Sequence, residues 1–243
     1  MQSTGARLLI FTCMSTFKIG IGITTRNRRE IAAVTVSQWM QFLPEGARLV
    51  VVDDASDRPF PDASFRFEKQ AGIAAAKNKC LELLEDCEHI FLSDDDCFPK
   101  VADWWKPYIN NSQPHLMYTF THLANGRRNG RNKQGEHKDY QYFELPCGCL
   151  LYLNNLCLRT VGGFDTEFKI WGYEHVEYSK RIYNAGLTEQ PYCDVLNSDS
   201  IWFSYDKQVA AVTSVPDRGI YLEGNRRLFE SKKFDSNFKA YKQ

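Results

Sequence analysis

Three apolar runs that each end in polar or acidic residues constrain this chain more than anything else in it. Residues 17–24 are β-branched and apolar, and they end in the polar turn Thr25, Arg26, Asn27. Residues 49–52 run into Asp53 and Asp54, and residues 90–92 run through Ser93 into Asp94, Asp95 and Asp96. Continuous apolar runs of this length read as strands buried on both faces, the habit of parallel sheets. Between them lie stretches of helical spacing. Ala32, Val36, Trp39, Met40 and Leu43 precede Pro44, and Ile73, Cys80, Leu84 and Cys87 come after Gly72. Strand, turn and helix therefore alternate, with 65–68 as a further short strand, and the expectation is a single Rossmann-like α/β sheet flanked by helices. In such a sheet ligands bind beyond the carboxyl ends of the strands, where the acids stand.

The second half is less regular. Strands are expected at 116–120 and 149–153, a polar loop rich in Gly and Arg at 125–138, and a helix after Gly172 carrying Glu174, Glu177 and Arg181 on one side. This gives a smaller mixed half over 101–214 merged with the nucleotide-binding half over 17–100. A polar extension wrapping the surface is expected over 215–243, and a leader-like or tag-like segment over 1–16. No signal or transmembrane segment is legible, and a cytoplasmic protein is expected. The eight cysteines are scattered through apolar stretches, as reduced core thiols would be, and C-G-C at 147–149 lacks the second pair of a zinc site.

Thirty basic residues balance thirty acidic ones, so attraction to an anion must come from a local patch. Residues 126–138 supply one, with Arg127, Arg128, Arg131, Lys133 and Lys138 against Glu136 alone. Three consecutive carboxylates repel one another unless a cation neutralises them. Mg2+ or Mn2+ suits hard oxygen ligands and can bridge the phosphates of a nucleotide. The plain alternative is a solvated acidic turn capping a helix near Pro99.

The acidic segment Phe91-Leu92-Ser93-Asp94-Asp95-Asp96-Cys97-Phe98-Pro99 resembles the D-x-D segment of family-two inverting glycosyltransferases. Thr25-Arg26-Asn27-Arg28 and Val51-Val52-Asp53-Asp54-Ala55-Ser56 are similar to that family's nucleotide-binding strand ends, and Gly72-Ile73-Ala74-Ala75-Ala76-Lys77-Asn78 to its G-x-x-x-A-R-N helix, with Lys77 replacing arginine. Val161-Gly162-Gly163-Phe164-Asp165-Thr166-Glu167-Phe168 and Trp171-Gly172-Tyr173-Glu174 look like its G-G-F-D and W-G-x-E-D segments. The resemblance implies the A-type glycosyltransferase fold and metal-dependent transfer of a sugar from a nucleotide sugar, a UDP-sugar first, to a hydroxyl.

By the same implication Thr25, Arg26, Asn27, Arg28, Asp53, Asp54, Gly72, Lys77, Asp94 and Asp95 serve the nucleotide sugar. Asp94 and Asp96 hold the metal, with Asp199 or Asp206 in place of a late histidine ligand, and Arg127, Arg128, Arg131, Trp171, Gly172 and Tyr173 face the acceptor. Where the family has E-D this chain has Glu174-His175, which leaves Glu174, His175 and Glu177 as candidate bases, Glu174 first. The W-G-x-E-x-x-E-x-S-x-R pattern also resembles retaining polypeptide N-acetylgalactosaminyltransferases, although the nucleotide-side motifs favour inversion. A glycan or lipid-linked sugar is the expected acceptor, with a hydroxylated base in DNA as the alternative that uses the basic loop. A sugar nucleotidyltransferase would need its glycines after the first strand, whereas Gly20 and Gly22 fall inside it. A non-catalytic nucleotide-sugar or glycan-binding module is the alternative of another class.

Overall fold

The computed structural model describes residues 18–208 and 218–242. In chain order the elements are β1 (Ile19–Thr25), α1 (Arg29–Gln41), β2 (Arg48–Asp53), β3 (Phe65–Arg66), α2 (Ile73–Leu83), β4 (His89–Asp94), β5 (Cys97–Pro99) and α3 (Lys106–Ile109). Next come β6 (His115–Met117), β7 (Lys133–Glu136), β8 (Tyr140–Phe143), β9 (Leu150–Asn154), α4 (Asn155–Val161) and α5 (Glu174–Asn184). The last are β10 (Cys193–Val195), α6 (Ser198–Ile201), β11 (Trp202–Ser204), a 3-10 turn at Asp206–Gln208 and α7 (Arg218–Lys232).

Six strands form one sheet in the order β3-β2-β1-β4-β9-β6. The first four are parallel to one another, and β9 runs antiparallel to both β4 and β6. Two small antiparallel sheets, β10-β8-β7 and β11-β5, complete the mixed half. The expected parallel half and mixed half are thus both present. The segment 1–16 and the boundary at 214 lie outside the described residues.

The I-G-I-G-I run of β1 explains how the central strand is packed. Ile19, Ile21 and Ile23 point into one apolar cluster with Trp39, Trp104 and Phe91, while the intervening glycines face α2. A Cβ at Gly22 would stand 2.6 Å from the Cβ of Cys80, so the strand can carry no side chain there without pushing α2 away. α2 lies against that face with Ala74, Ala76, Cys80 and Leu81 buried.

Several expectations are corrected in detail. Met40 is 56% exposed because α1 packs through Ala32, Thr35 and Trp39, whose indole N–H donates to the Cys97 carbonyl at 2.9 Å. No helix begins near Pro99, since Cys97–Pro99 pairs with β11 instead. The basic loop contains β7, paired with β8. Part of the polar extension is the helix α7, which buries Phe229 against Phe168, Val176 and Tyr192. All seven described cysteines are free and buried. No helix among the described residues is long and apolar enough to cross a membrane.

Candidate active site

The parallel strands β1, β2 and β4 deliver their carboxyl ends to one edge of the sheet, and a cleft of about 430 Å3 opens there. Thr25, Arg26, Arg28, Asp54 and the three aspartates Asp94–Asp96 line its nucleotide side. Side chains from their own half neutralise the acids. Arg28 bridges two of them, with Nη1 3.0 Å from Asp95 Oδ1 and Nη2 2.6 Å from Asp96 Oδ2. Thr25 donates its hydroxyl to Asp95 Oδ2 at 2.5 Å. Lys77, only 1% exposed, lies 3.1 Å from Asp94 Oδ1 and donates to the Gly148 carbonyl at 3.2 Å.

Two cations against three carboxylates leave the cluster short of positive charge. Burial pushes Asp95 up to about 7 even though Arg28 opposes it, and burial raises Asp94 against the pull of Lys77. Asp96 Oδ1 is buried with no hydrogen-bond partner, and Asp94 Oδ1 has an ion pair but no hydrogen bond. An orphaned carboxylate oxygen beside a second under-satisfied one fits a hard divalent cation. No group of three or more His, Cys, Asp or Glu side chains among the described residues is placed to hold a metal ion, so water and diphosphate oxygens would complete its shell.

Other residues expected at the nucleotide side have different work. Asp53 is fully buried and accepts from the Ser56 and Phe60 N–H groups at 2.8 and 2.9 Å, which makes it the builder of the turn after β2 rather than a ligand group. Asp54 does line the cleft, but its carboxylate already accepts from the Ala71 and Gly72 N–H groups at 2.6 and 3.0 Å. Asn27 exchanges hydrogen bonds with Asp57 and receives nothing from the cleft wall. Gly72 has φ +92° and a Cβ there would stand 2.8 Å from the Ile170 nitrogen, so its role is close approach of the two halves. Lys77 lies beneath the acids instead of in the cleft.

The rest of the cleft is built from distant sequence. Trp171, Glu174, His175 and Arg131 line it, while Asp206 stands beside the acids, where the Tyr205 N–H donates to the Asp96 carbonyl at 3.0 Å. Asn78 at the end of the G-x-x-x-A-K-N helix donates to the Phe164 carbonyl at 2.9 Å and accepts from the Phe164 N–H at 2.7 Å, fastening the G-G-F segment to α2. Glu174, 3% exposed at the start of α5, accepts from the Gly172 N–H through Oε2 at 2.8 Å, and its Oε1 is 3.0 Å from His175 Nδ1. Burial would raise the Glu174 carboxyl, yet His175 and Lys77 outweigh it and hold the group down to about 2. With Nδ1–H given to this carboxylate, Nε2 is the ring nitrogen left to take up a proton.

Glu177 is removed from the candidate bases. It is 1% exposed and grips Arg181 at 2.7 and 3.1 Å, while Arg181 in turn donates to the Val161 and Gly163 carbonyls. Asp199 is likewise removed from the candidate ligands, because it accepts from Tyr118 and pairs with Lys207 away from the cleft, whereas Asp206 lines it. Gly172 and Tyr173 shape the backbone ahead of α5 and do not line the cleft. Arg127 and Arg128 are exposed outside it, and only Arg131 of the basic cluster reaches the wall, where its Nε donates to the Pro146 carbonyl at 3.1 Å. Sequence reasoning missed Gly148. A Cβ there would stand 2.7 Å from His175 Nδ1, so the glycine of C-G-C seats the imidazole, and the signal was the glycine and not the cysteines flanking it.

Residues 131–200, most of this second wall, match the model for the N-terminal domain of galactosyltransferase. An uncharacterised glycosyltransferase of Acanthamoeba polyphaga mimivirus is 22% identical over 236 residues, covering 84% of this chain and 88% of its own. Among solved structures, GalNAc-T7 with UDP, GalNAc and Mn2+ superposes with a TM-score of 0.57 at 14% identity over 75% of this chain and 44% of its own. The mannosyltransferase of Pyrobaculum calidifontis in complex with GDP-Man and Mn2+ gives 0.53 at 17% identity over 83% and 58%. The TarS 1–349 fragment of S. aureus in complex with UDP gives 0.53 at 14% over 77% and 60%. This chain thus spans about half the length of the solved chains it resembles. With the acids at the edge of a parallel sheet and the W-G-x-E helix lining the same cleft, these likenesses show the A-type glycosyltransferase fold and make the chain similar to glycosyltransferases.

Proposed function

We propose that the chain moves a sugar from a UDP-sugar to a hydroxyl group of a glycan or lipid-linked sugar, with inversion. The observation that carries this reading is the shared cleft, which both the under-neutralised Asp94–Asp96 cluster and the Glu174–His175 pair line. Asp94 and Asp96 would hold Mn2+ or Mg2+, which when bound neutralises the diphosphate as it leaves. GalNAc-T7 and the Pyrobaculum mannosyltransferase, both bound to Mn2+ beside a nucleotide or nucleotide sugar, support that choice, and UDP in two of the three neighbours supports the nucleotide. The buried free thiols fit a reducing compartment such as the cytoplasm.

In this reading Arg28 positions Asp95 and Asp96, and Lys77 does the same for Asp94 from below. Glu174 orients the His175 ring and fixes its tautomer, so that Nε2 receives the proton of the attacking hydroxyl. Both Glu174 oxygens are already engaged, Oε2 by the Gly172 N–H and Oε1 by His175, which favours His175 over Glu174 as the base and reverses the order expected from the motif. The sugar's anomeric carbon then takes the hydroxyl oxygen as the diphosphate departs.

A second reading keeps the same chemistry and places a hydroxylated base of DNA as acceptor. It is favoured by Arg131 on the cleft wall with Arg127 and Arg128 exposed beyond it, a track that suits phosphates. Proton NMR of the first sugar released by slow hydrolysis of an α-linked UDP-sugar tests inversion without an acceptor in hand. The β anomer is expected. The α anomer would point to retention, in keeping with the second family resemblance, and no release at all would leave a nucleotide-sugar-binding module.

A further inference from the structure

The backbone just before α5 is held in unfavourable conformations. Ile170, Gly172 and Tyr173 have φ of 62°, 99° and 68°. For the two side-chain-bearing residues that left-handed region is unfavourable, so the segment needs fastening from outside. Its own short backbone bond, Trp171 N–H to the Lys169 carbonyl at 2.7 Å, does not reach Gly172.

α7 supplies the fastening. Asn225, 8% exposed, donates from Nδ2 to the Trp171 carbonyl and the Gly172 carbonyl, each at 2.9 Å, with the Lys169 carbonyl at 3.4 Å. The helix that carries it is itself anchored. Lys232 lies 2.6 Å from both Asp165 and Glu167, and Asn184 donates to the Lys233 and Asp235 carbonyls at 3.0 and 2.8 Å. Apolar packing by Phe229 and Leu228 holds α7 in place without Asn225. A buried amide inside a helix stabilises nothing by packing, and it is costly unless its hydrogen bonds are made.

We propose that Asn225 is a positioning residue for sugar transfer, acting through Gly172 on the Glu174–His175 pair. The proposal rests on the glycosyl-transfer reading above. One side chain fixes the Gly172 carbonyl, the Gly172 N–H fixes Glu174 Oε2, and Glu174 Oε1 fixes the His175 ring. The same amide sets Trp171, which lines the cleft.

The test uses the full chain labelled with 5-fluorotryptophan, in which the Trp171 resonance is assigned by Trp171→Phe. Asn225→Asp keeps the shape but turns a donor into an acceptor facing carbonyl oxygens, and Asn225→Ala removes the donor without adding charge. In both variants the Trp171 19F line is expected to shift or broaden while the other four tryptophan lines hold. Affinity for UDP with Mn2+ should stay within about twofold, and UDP release from a UDP-sugar should slow about tenfold or more at unchanged donor KM, as misplacement of a reacting group does. An unmoved Trp171 line in both variants overturns the proposal. So does movement of all five lines together with loss of UDP affinity, which would make Asn225 a general support of the fold. If the wild type releases no UDP from any UDP-sugar, the transfer reading fails, and the 19F and UDP-binding measurements still decide whether Asn225 places Trp171.

Discussion

The nucleotide wall and the acceptor wall of the cleft solve the same problem of holding charged groups out of water in opposite ways. On the nucleotide wall the acids are neutralised by Arg28 and Lys77, cations of the same half whose helices and loops adjoin neighbouring parallel strands. On the acceptor wall one carboxylate, Glu174, is held by a backbone N–H and an imidazole, and the backbone is held in turn from a helix some fifty residues later. The first wall is tied by side chains 68 and 70 positions apart in the chain, and the second by a short Gly172–Glu174–His175 series that α7 holds from outside. A change on the first wall should therefore act on ligand charge, and a change on the second on geometry.

The largest break is expected from Asp96→Asn. The substitution keeps the shape but removes the charge opposite the buried, unpartnered Oδ1, so UDP release should fall at least about a thousandfold, on the scale of losing a principal electrostatic contribution. Excess chelator should do the same to the wild type. Full turnover in chelator would mean that Arg28 and Arg26, the cations lining the cleft beside the acids, suffice for the diphosphate.

His175→Ala sharpens the contrast from the other side. Turnover should drop about a hundredfold while UDP affinity stays constant, the usual loss for a general base. Glu174→Gln should cost less, about tenfold, because the amide can still accept from Gly172 but no longer stabilises a charged imidazole. If Glu174→Gln is the dead variant and His175→Ala turns over normally, the carboxylate is the base and the pair's roles are exchanged.

The smallest effect separates the basic residues. Arg131→Ala should raise the KM for an anionic acceptor several-fold, with a deficit that shrinks as salt rises, and the pair Arg127→Ala with Arg128→Ala should matter only for an acceptor long enough to leave the cleft. Equal losses for a short and a long acceptor in the double variant would show that the exposed arginines act by general attraction instead of along a track.

Legibility in the sequence obeys the same division. The parallel half could be read because each buried strand is a continuous apolar run and each connection is a short turn into a helix, so Asp54 and Asp94–Asp96 fall at the sheet edge by order alone. The glycines of β1 were visible, yet their reason, close packing on Cys80, is a contact between elements that no periodicity encodes. Glu177 and Asp53 looked like site residues because they neighbour Glu174 and Asp54, which line the cleft; each instead spends its carboxylate inside the fold, on Arg181 and on the turn at 56–60 respectively. Asn225 carried no local signal, and the glycine of C-G-C could be seen but not its partner, since both meet residues far away in the chain. Long-range partners are invisible to a reading by spacing.

The stitching of the last helix also sets an order of events during synthesis. Lys239 pairs with Gly162, Lys242 with Glu85, and Asn225 with the segment ahead of Glu174. The sheet and its core also wait for later residues, since β9 pairs with β4 and Trp202 packs against Trp39 and Trp104. The acceptor wall cannot close until residue 225 has left the exit tunnel.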